Sequence, residues 1–217
     1  MAPSRHGFEG GIARRALLLV TGALLLAPAA RAALAPGEQE LVRRVEAYFN
    51  AIGTLEGRFT QLAQDGRMAT GRLWLARPGR LRFDYDPPSR VKLIATDWRV
   101  IFVDAAVKQV NTVPLAQTPL AFLLDREVKL SGDLAVTEVA RRAGEIALTV
   151  VRAKEPEQGR VVIVLAENPL ELRRWSITDP QGFTTTILLD ELVTGRPIDP
   201  ALFRFHDPNV FGWPEGW

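Results

Sequence analysis

The 217-residue sequence contains no cysteine and only two histidines, His6 and His206. Without cysteine the chain forms no disulfide bond and has no thiolate nucleophile. It also cannot carry the cysteine-linked lipid that anchors bacterial lipoproteins to a membrane. A chain with so few histidines and no cysteine is poorly equipped to bind a transition metal, so we expect neither a metal site nor a cofactor.

Recognisable catalytic motifs are also missing. Downstream of the N-terminal segment there are three serines, Ser89, Ser131 and Ser176, and none lies in a nucleophile motif. No glycine-rich loop resembles a phosphate-binding cradle. Asp84 and Asp86 share a face of a predicted strand, which we interpret as a solvated face, although sequence alone leaves a glycosidase-type carboxylate pair open. We therefore do not expect an enzyme.

A membrane-spanning run is absent too. The longest apolar run, Ala16–Leu26, is about half the roughly 20 residues that cross a bilayer. Arginines precede this run and the triplet Ala30-Arg31-Ala32 follows it, which is the layout of a secretory signal peptide. We predict a signal peptide over residues 1–32 with cleavage after Ala32, followed by a single domain over residues 33–217. An uncleaved anchor and a twin-arginine signal are weaker alternatives.

The predicted cleavage removes most of the basic character of the chain. Residues 1–32 contain four arginines and one glutamate, so the formal net charge changes from +2 to −1. A nearly neutral protein lacks the basic surface that binds phosphate backbones, so we expect no nucleic-acid partner. We expect the exported protein to be a soluble monomer outside the cytoplasm.

The clearest predicted helix covers Glu38–Ile52. Its apolar residues recur at helical spacing and form one stripe, which includes Leu41, Val45 and Tyr48. Gly53 then ends the helix. Such a stripe must pack on something, and the pattern leaves two possibilities open: ordinary core packing or a movable cover.

Beyond Gly53 the apolar period changes to two residues, and turn residues separate short segments. This pattern predicts a mainly β fold (α+β class) with an antiparallel sheet that tends to curl. Phe203 and Phe205 suggest one further edge strand. The eleven principal predicted strands are Leu55–Ala63, Ala69–Ala76, Arg80–Asp86, Val91–Thr96, Arg99–Val103, Lys108–Val113, Leu134–Arg141, Glu145–Arg152, Arg160–Leu165, Leu170–Thr178 and Thr184–Leu192.

The hairpin Gly71–Pro88 has one apolar face with a cation at its end. Alternation places Leu73, Leu75, Leu81, Phe83 and Tyr85 on that face. Arg77 lies at the turn in the same register, where a buried charge is costly unless it has partners. Leu93 and Phe102 of later strands could join this face. Composition does not decide whether the face lines a filled core or a cavity.

A short apolar segment, Thr118–Asp125, separates the two groups of strands. Thr118 is a suitable N-cap and Pro119 a suitable first residue, which predicts a two-turn helix. Its side chains, which include Leu120, Phe122 and Leu123, are too apolar to face water. We expect this segment to plug or cover the concave side of the sheet.

Taken in order along residues 38–207, several motifs together resemble the LolA family, the periplasmic carriers of outer-membrane lipoproteins. The resemblance implies an incomplete antiparallel β-barrel of about 11 strands with a helical lid. The matching residues are Phe59-Thr60-Gln61, Gly71-Arg72-Leu73-Trp74-Leu75-Ala76-Arg77-Pro78-Gly79, Arg82-Phe83-Asp84-Tyr85, Pro88 and Thr118-Pro119-Leu120.

The resemblance also implies roles for residues and partners. The concave surface would take up lipoprotein acyl chains, and Arg77 would bond lid carbonyls as a latch in the closed state. The implied cavity residues are Leu73, Leu75, Leu81, Phe83, Tyr85, Leu93 and Phe102. The implied lid residues are Leu41, Val45, Tyr48, Leu120, Phe122 and Leu123. The implied partners are the inner-membrane Lol ABC transporter and a LolB-like outer-membrane receptor.

The sequence departs from the family pattern at three places. Asp97-Trp98 replaces the Asp-Gly often found at a hairpin turn, and Phe83 stands where the family often has tryptophan. The tail Phe211–Trp217 has no counterpart. A carrier of another amphiphile, such as a glycolipid, or an envelope-stress lipoprotein sensor would share the fold. LolB itself is anchored through a cysteine, which favours the carrier over the receptor.

Overall fold

The computed structural model describes residues 34–213 and contains one sheet of eleven antiparallel strands. The spatial order is β6-β5-β4-β3-β2-β1-β11-β10-β9-β8-β7, so β1 and β11 pair at the centre and β6 and β7 are the two edges. The strands are Thr54–Ala63 (β1), Met68–Ala76 (β2), Arg80–Tyr85 (β3), Val91–Thr96 (β4), Arg99–Asp104 (β5), Gln109–Pro114 (β6), Leu134–Arg142 (β7), Glu145–Arg152 (β8), Arg160–Glu167 (β9), Leu170–Thr178 (β10) and Thr184–Thr194 (β11).

The eleven predicted strands and the open antiparallel barrel are confirmed. Strand ends differ by at most two residues from the predicted ones, because turn residues fix where each pairing stops. The additional edge strand predicted at Phe203 and Phe205 is wrong. Pro200–Phe203 forms a 3₁₀ turn whose first N–H groups are capped by Asp199, which accepts from the backbone N–H of Ala201 at 2.8 Å.

The sheet curls strongly around its inner face. Neighbouring strands lie about 4.8 Å apart, so β3 and β10, four positions apart, would be roughly 19 Å apart in a flat sheet. Instead the rings of Phe83 (β3) and Trp175 (β10) meet edge to face with centroids 6.4 Å apart. The inner face is therefore concave and able to enclose a core.

Helix α1, Pro36–Ala51, lies in this concavity. It begins two residues before the predicted start, because Pro36 suits the first turn and Glu38 accepts a hydrogen bond from the Ala35 N–H at 2.7 Å. Its predicted apolar stripe is buried. Leu41, Val45 and Phe49 belong to one core cluster with residues of β8, β9 and β10.

The connection between the edge strands β6 and β7 also covers the inner face. The predicted two-turn helix with a Thr118 cap is wrong: the structure has a shorter 3₁₀ turn, Ala121–Leu124, whose N-cap is Leu120. The Thr118 hydroxyl instead donates backwards to the carbonyl of Leu115 at 2.7 Å, which removes the cap. Phe122, Leu123 and Leu124 are all buried, as the apolar composition requires.

The chain after β11 crosses to the outer face of the sheet. Phe203 is buried there, the Arg80 guanidinium lies over its ring, and Arg82 donates to the carbonyl of Leu202 at 2.7 Å. A final short helix, α2, spans Pro208–Phe211. The inner face consequently remains available to α1 and the β6–β7 connection.

The predicted signal peptide and its cleavage site lie outside the described residues. Within residues 34–213 no helix is both long and apolar enough to cross a bilayer. Residues 214–217 at the end of the predicted tail Phe211–Trp217 are likewise outside the described part of the chain.

Candidate functional site: an apolar cavity beside Arg77

A small apolar cavity lies where the C-terminal end of α1 and the β6–β7 connection meet the sheet. Its volume is about 40 Å³. An apolar cavity that takes up a benzene ring has about 150 Å³, so this space does not hold an acyl chain in the present conformation. The lining residues are Phe49, Ile52, Leu55, Leu73, Leu75, Arg77, Leu81, Leu120, Leu123, Leu124, Leu172 and Trp175. We call this space the lid cavity.

The predicted cavity residues divide into two groups. Leu73, Leu75 and Leu81 line the lid cavity, with Leu75 and Leu81 paired across β2 and β3. The other four lie elsewhere on the inner face. Phe83, Tyr85 and Leu93 pack in or against the main core cluster, whereas Phe102 pairs with Leu93 but lies outside that cluster.

The predicted lid residues divide in a similar way. Leu120 and Leu123 line the lid cavity, and Phe122 is buried in the core cluster beside it. Leu41 and Val45 pack deeper, 2% and 0% exposed, and Tyr48 packs against the same cluster. The predicted lid residues therefore line the lid cavity or pack in or against the core cluster on the inner face.

Arg77 connects the sheet to both parts of the cover. Its Nε donates to the carbonyl of Leu123 at 2.7 Å, and its Nη1 donates to the carbonyl of Phe49 at 2.5 Å. Next to it, the Gly79 N–H donates to the carbonyl of Leu124 at 2.8 Å, and Gly79 has the positive φ of +72° that this turn requires. One guanidinium thus holds the end of α1 and the 3₁₀ turn together.

The position of Arg77 has an electrostatic cost. The side chain is half-buried against leucines, and this burial lowers its pKa, while the charge of Asp125 acts in the opposite direction. An arginine remains protonated under these conditions. The two carbonyl acceptors offset part of the desolvation, and each charged hydrogen bond contributes about 1.5–3 kcal/mol.

Polar side chains of α1 hold the rest of the cover. Asn50 accepts from the N–H of Val128 at 2.7 Å and donates to its carbonyl at 3.0 Å. Glu46 accepts from the N–H of Leu130 at 2.6 Å. Residues 118–130, which we call the lid segment, are therefore bonded to α1 as well as to Arg77. These two polar residues were not predicted, because no sequence periodicity marks a side chain that bonds a distant backbone.

Helix α1 itself is fastened to β10. The Tyr48 hydroxyl accepts from the backbone N–H of Leu172 at 2.9 Å, beside the point where the β9–β10 register shifts between Leu172 and Arg174. Burial raises the pKa of Tyr48. Tyr48, predicted as a lid residue, thus also acts as a fixed attachment of the helix to the sheet.

The Phe59-Thr60-Gln61 motif supports the hairpin at the far end of the inner face. The Phe59 ring packs edge to face on Phe83 and Tyr85, with centroids 4.8 and 5.0 Å away. A Cβ at Gly71 would lie 2.5 Å from that ring, so only glycine fits opposite Phe59. Tyr85 donates to Gln61 at 2.6 Å, and burial raises its pKa to about 12.

Several residues that line the lid cavity were not predicted from the sequence. Leu55 follows the same alternation as Phe59 on β1, so the pattern contained a usable signal. Leu172 and Trp175 were not predicted, because only the pairing order places β10 opposite β3 across the barrel. Phe49 contributes a backbone carbonyl, which no side-chain pattern reveals.

The departure from the family pattern at Asp97-Trp98 lies away from the lid cavity. Trp98 is 64% exposed in the β4–β5 turn, where both Asp97 and Trp98 have positive φ angles of 48° and 59°. It borders a wider surface depression of about 880 Å³ that the lid segment, β8 and β9 also line. Among residues 34–213, no group of three or more histidine or acidic side chains is arranged to hold a metal ion.

Comparison with known proteins matches this architecture to one family. A family model described as "Outer membrane lipoprotein carrier protein LolA" matches residues 50–206. An outer-membrane lipoprotein carrier protein from Methylococcus capsulatus is 30% identical over 174 residues, which cover 76% of this chain and 83% of the relative. A protein of the same name from Pseudomonas paraeruginosa is 28% identical, and the match covers 77% of this chain and 84% of that relative.

A solved structure in the same superfamily is more distant. The LolA superfamily protein from Nitrosomonas europaea is 9% identical, covers 76% of this chain and 97% of its own, and superposes with a TM-score of 0.42. The matched residues 50–206 include β1 to β11, Arg77 and the lid segment, but only the last residues of α1.

Proposed function

Because the chain belongs to the LolA family of outer membrane lipoprotein carrier proteins, we propose that it carries lipoproteins across the periplasm. In this proposal it binds acyl chains of lipoproteins released from the inner membrane and delivers them to the outer membrane. The role is that of a chaperone and involves no chemical conversion of the cargo. One observation carries the proposal: a single guanidinium holds two covering elements over an apolar cavity.

The physical problem for such a carrier is the cost of exposing acyl chains to water. Each methylene group transferred from apolar surroundings to water costs about 0.8 kcal/mol, so several chains cost tens of kcal/mol. A carrier must therefore supply an apolar surface that replaces the apolar surroundings the acyl chains leave. The inner face of this sheet offers leucine and aromatic side chains that α1 and the lid segment cover in the closed conformation.

The latch explains how cargo is released again. In the closed state the lid side chains fill the cavity and Arg77 bonds the carbonyls of Phe49 and Leu123. Acyl chains enter only when the lid segment moves, and those bonds are then lost. The free energy of latching therefore subtracts from the affinity for cargo, which keeps binding reversible. Lysine would preserve the charge but not the two-directional fork of donors.

The mode of attachment indicates which part moves. Helix α1 is buried along its stripe and fastened to β10 through Tyr48. The lid segment has a shorter apolar contact and depends on Arg77, Glu46 and Asn50. We propose that the lid segment and the C-terminal end of α1 separate from the sheet while the middle of α1 stays in place.

Loading and unloading need membrane partners. We propose that an inner-membrane ABC transporter of the Lol type supplies the cargo and that an outer-membrane acceptor, LolB-like where one exists, removes it. The predicted signal peptide would place the chain in the periplasm between the two membranes.

Depletion of the protein in its native host tests this function. Acylated lipoproteins should accumulate at the inner membrane and in the periplasm, and a plasmid copy of the gene should restore their sorting. As a matched control, a lipoprotein whose acylated cysteine is replaced should not co-purify with the carrier. Normal sorting after depletion in a strain without a second carrier, together with co-purification of a glycolipid, would identify a carrier of another amphiphile instead.

A further inference from the structure

The indole of Trp175 is a buried hydrogen-bond donor without an acceptor. Trp175 is 5% exposed, and its Nε1 atom has no hydrogen-bond partner among residues 34–213. It is the one buried side-chain nitrogen or oxygen in that part of the chain that lacks a partner. Leaving such a group unpaired is costly, whereas phenylalanine would supply a large ring without a donor.

The fold holds this donor in place beside the lid cavity. Trp175 lies on the inner face of β10, paired with Ile163 on β9 and Ile187 on β11, and it lines the cavity. Its ring meets that of Phe83 edge to face at 85°. These neighbours are hydrocarbon or aromatic, so the donor cannot be satisfied by turning toward another residue of the site.

The described lining of the cavity provides no side-chain acceptor for this donor. Apart from Arg77 and Trp175, every side chain that lines it is hydrocarbon, and Arg77 is itself a donor already bonded to two carbonyls. The lining side chains thus leave this donor available to an acceptor that a ligand brings. An indole N–H donates and does not accept, so it suits a group that accepts only.

We propose that Trp175 binds the carbonyl oxygen of an acyl ligand, the ester or amide carbonyl at the head of the hydrocarbon chain. This assignment rests on the proposed function. It gives the cavity a means to distinguish acyl groups from plain alkyl chains and fixes the depth to which the chain head enters. The hydrocarbon part then follows the leucine-lined face of β2 and β3, where Leu73 and Leu75 lie.

A pair of lipids that differ at the carbonyl tests the assignment. We would measure binding of 1-palmitoyl lysophosphatidylcholine, an ester, and of 1-hexadecyl lysophosphatidylcholine, an ether, below their micelle-forming concentrations. The unmodified protein should bind the ester roughly threefold to tenfold more tightly, the range expected for one hydrogen bond. Trp175→Phe should bind both with the same affinity.

Two further variants separate the possible outcomes. Trp98→Phe changes an exposed tryptophan and should preserve the ester preference. Arg77→Leu should bind both lipids more tightly but preserve their ratio. If neither the unmodified protein nor Arg77→Leu bound either lipid, the acyl-binding function itself would fail. Binding without an ester preference would overturn only the role of Trp175.

Nuclear magnetic resonance of the indole provides a readout independent of affinity. With ¹⁵N-labelled tryptophan, the Nε1–H resonance of Trp175 is identified by its loss in Trp175→Phe. The ester lipid should move this resonance downfield, and the ether lipid should not. An identical shift with both lipids would mean that the donor bonds a retained water or the Phe83 ring, and the assignment would be wrong.

Discussion

The inner face of the barrel has two regions that differ in how they are occupied. At β8 and β9, Ile146, Leu148, Ile163 and Leu165 are each 0% exposed and share one cluster with Leu41 and Val45 of α1; we call this the filled region. At β2, β3 and β10 the lid cavity remains. The same alternating pattern builds both regions.

The difference lies in how each cover is attached. The filled region is covered by the central stripe of a 16-residue helix whose contacts are apolar and continuous. The lid cavity is covered by a short 3₁₀ turn and a helix end, which polar bonds from Arg77, Asn50 and Glu46 hold in place. Continuous apolar packing holds one cover, whereas a few directional bonds hold the other, which is the cover that we propose to open.

Truncating a leucine should lower the free energy of unfolding far more in the filled region than at the lid cavity. Leu148→Ala should lower the free energy of unfolding by about 2–5 kcal/mol, because it leaves a void in packed surroundings. Leu75→Ala should cost about 1 kcal/mol, because Leu75 is half-buried and already borders a cavity. Urea denaturation of both variants checks this, and equal losses would mean that the cavity side is packed as tightly as the filled region.

A smaller effect is expected at the polar attachment of the lid segment. Asn50→Ala removes both bonds to Val128 and should weaken the local structure by about 1–3 kcal/mol without unfolding the barrel. Amide hydrogen exchange should accelerate at Val128 and Leu130 but not on β8. Asn111→Ala, on the exposed edge strand β6, is the control. Unchanged exchange at Val128 would show that Asn50 does not hold the lid segment.

A pH dependence of stability is expected away from the lid, and it is confined to strongly alkaline solution. The pKa of Tyr85 is about 12 in the folded protein and near 10 when unfolded, so the unfolded state loses the proton first as pH rises. The contribution of Tyr85 to the free energy of unfolding is therefore fully present below about pH 10. It declines toward pH 12, by at most about 1.4 kcal/mol per pH unit. The difference in unfolding free energy between the unmodified protein and Tyr85→Phe should shrink over that interval. A constant difference would contradict the burial of this hydroxyl.

Most of the fold could be predicted from the sequence, because local residue patterns determine where its strands and its helix lie. Period-two alternation and turn residues located all eleven strands, and the spacing of Leu41, Val45 and Phe49 located α1. The 3₁₀ turn at Ala121–Leu124 was predicted as a longer helix, because the hydroxyl of Thr118 bonds Leu115 rather than capping. Capping by a hydroxyl depends on a choice between two nearby backbone groups that composition does not reveal.

Only one wall of the lid cavity, the β2–β3 hairpin, could be predicted from the sequence. The hairpin itself identified Leu73, Leu75, Leu81 and Arg77, since these residues are neighbours in register. The opposite wall required the strand order, which brings Trp175 to within contact of Phe83 although the two are 92 positions apart in sequence. Phe49 and Leu123 contribute backbone carbonyls, so no residue type at those positions signals that they accept hydrogen bonds from Arg77.

We propose above that Arg77 limits how firmly cargo is held. The most direct measurement is transfer of a triacylated lipoprotein from the purified, loaded carrier to an acceptor membrane or receptor, comparing the unmodified protein with Arg77→Leu and with Arg72→Leu. Arg72 is exposed on β2, the strand that leads into the Arg77 turn, and provides a control for loss of charge. We predict that Arg77→Leu loads normally but retains its cargo, while Arg72→Leu transfers it. Normal transfer by Arg77→Leu would contradict the latch.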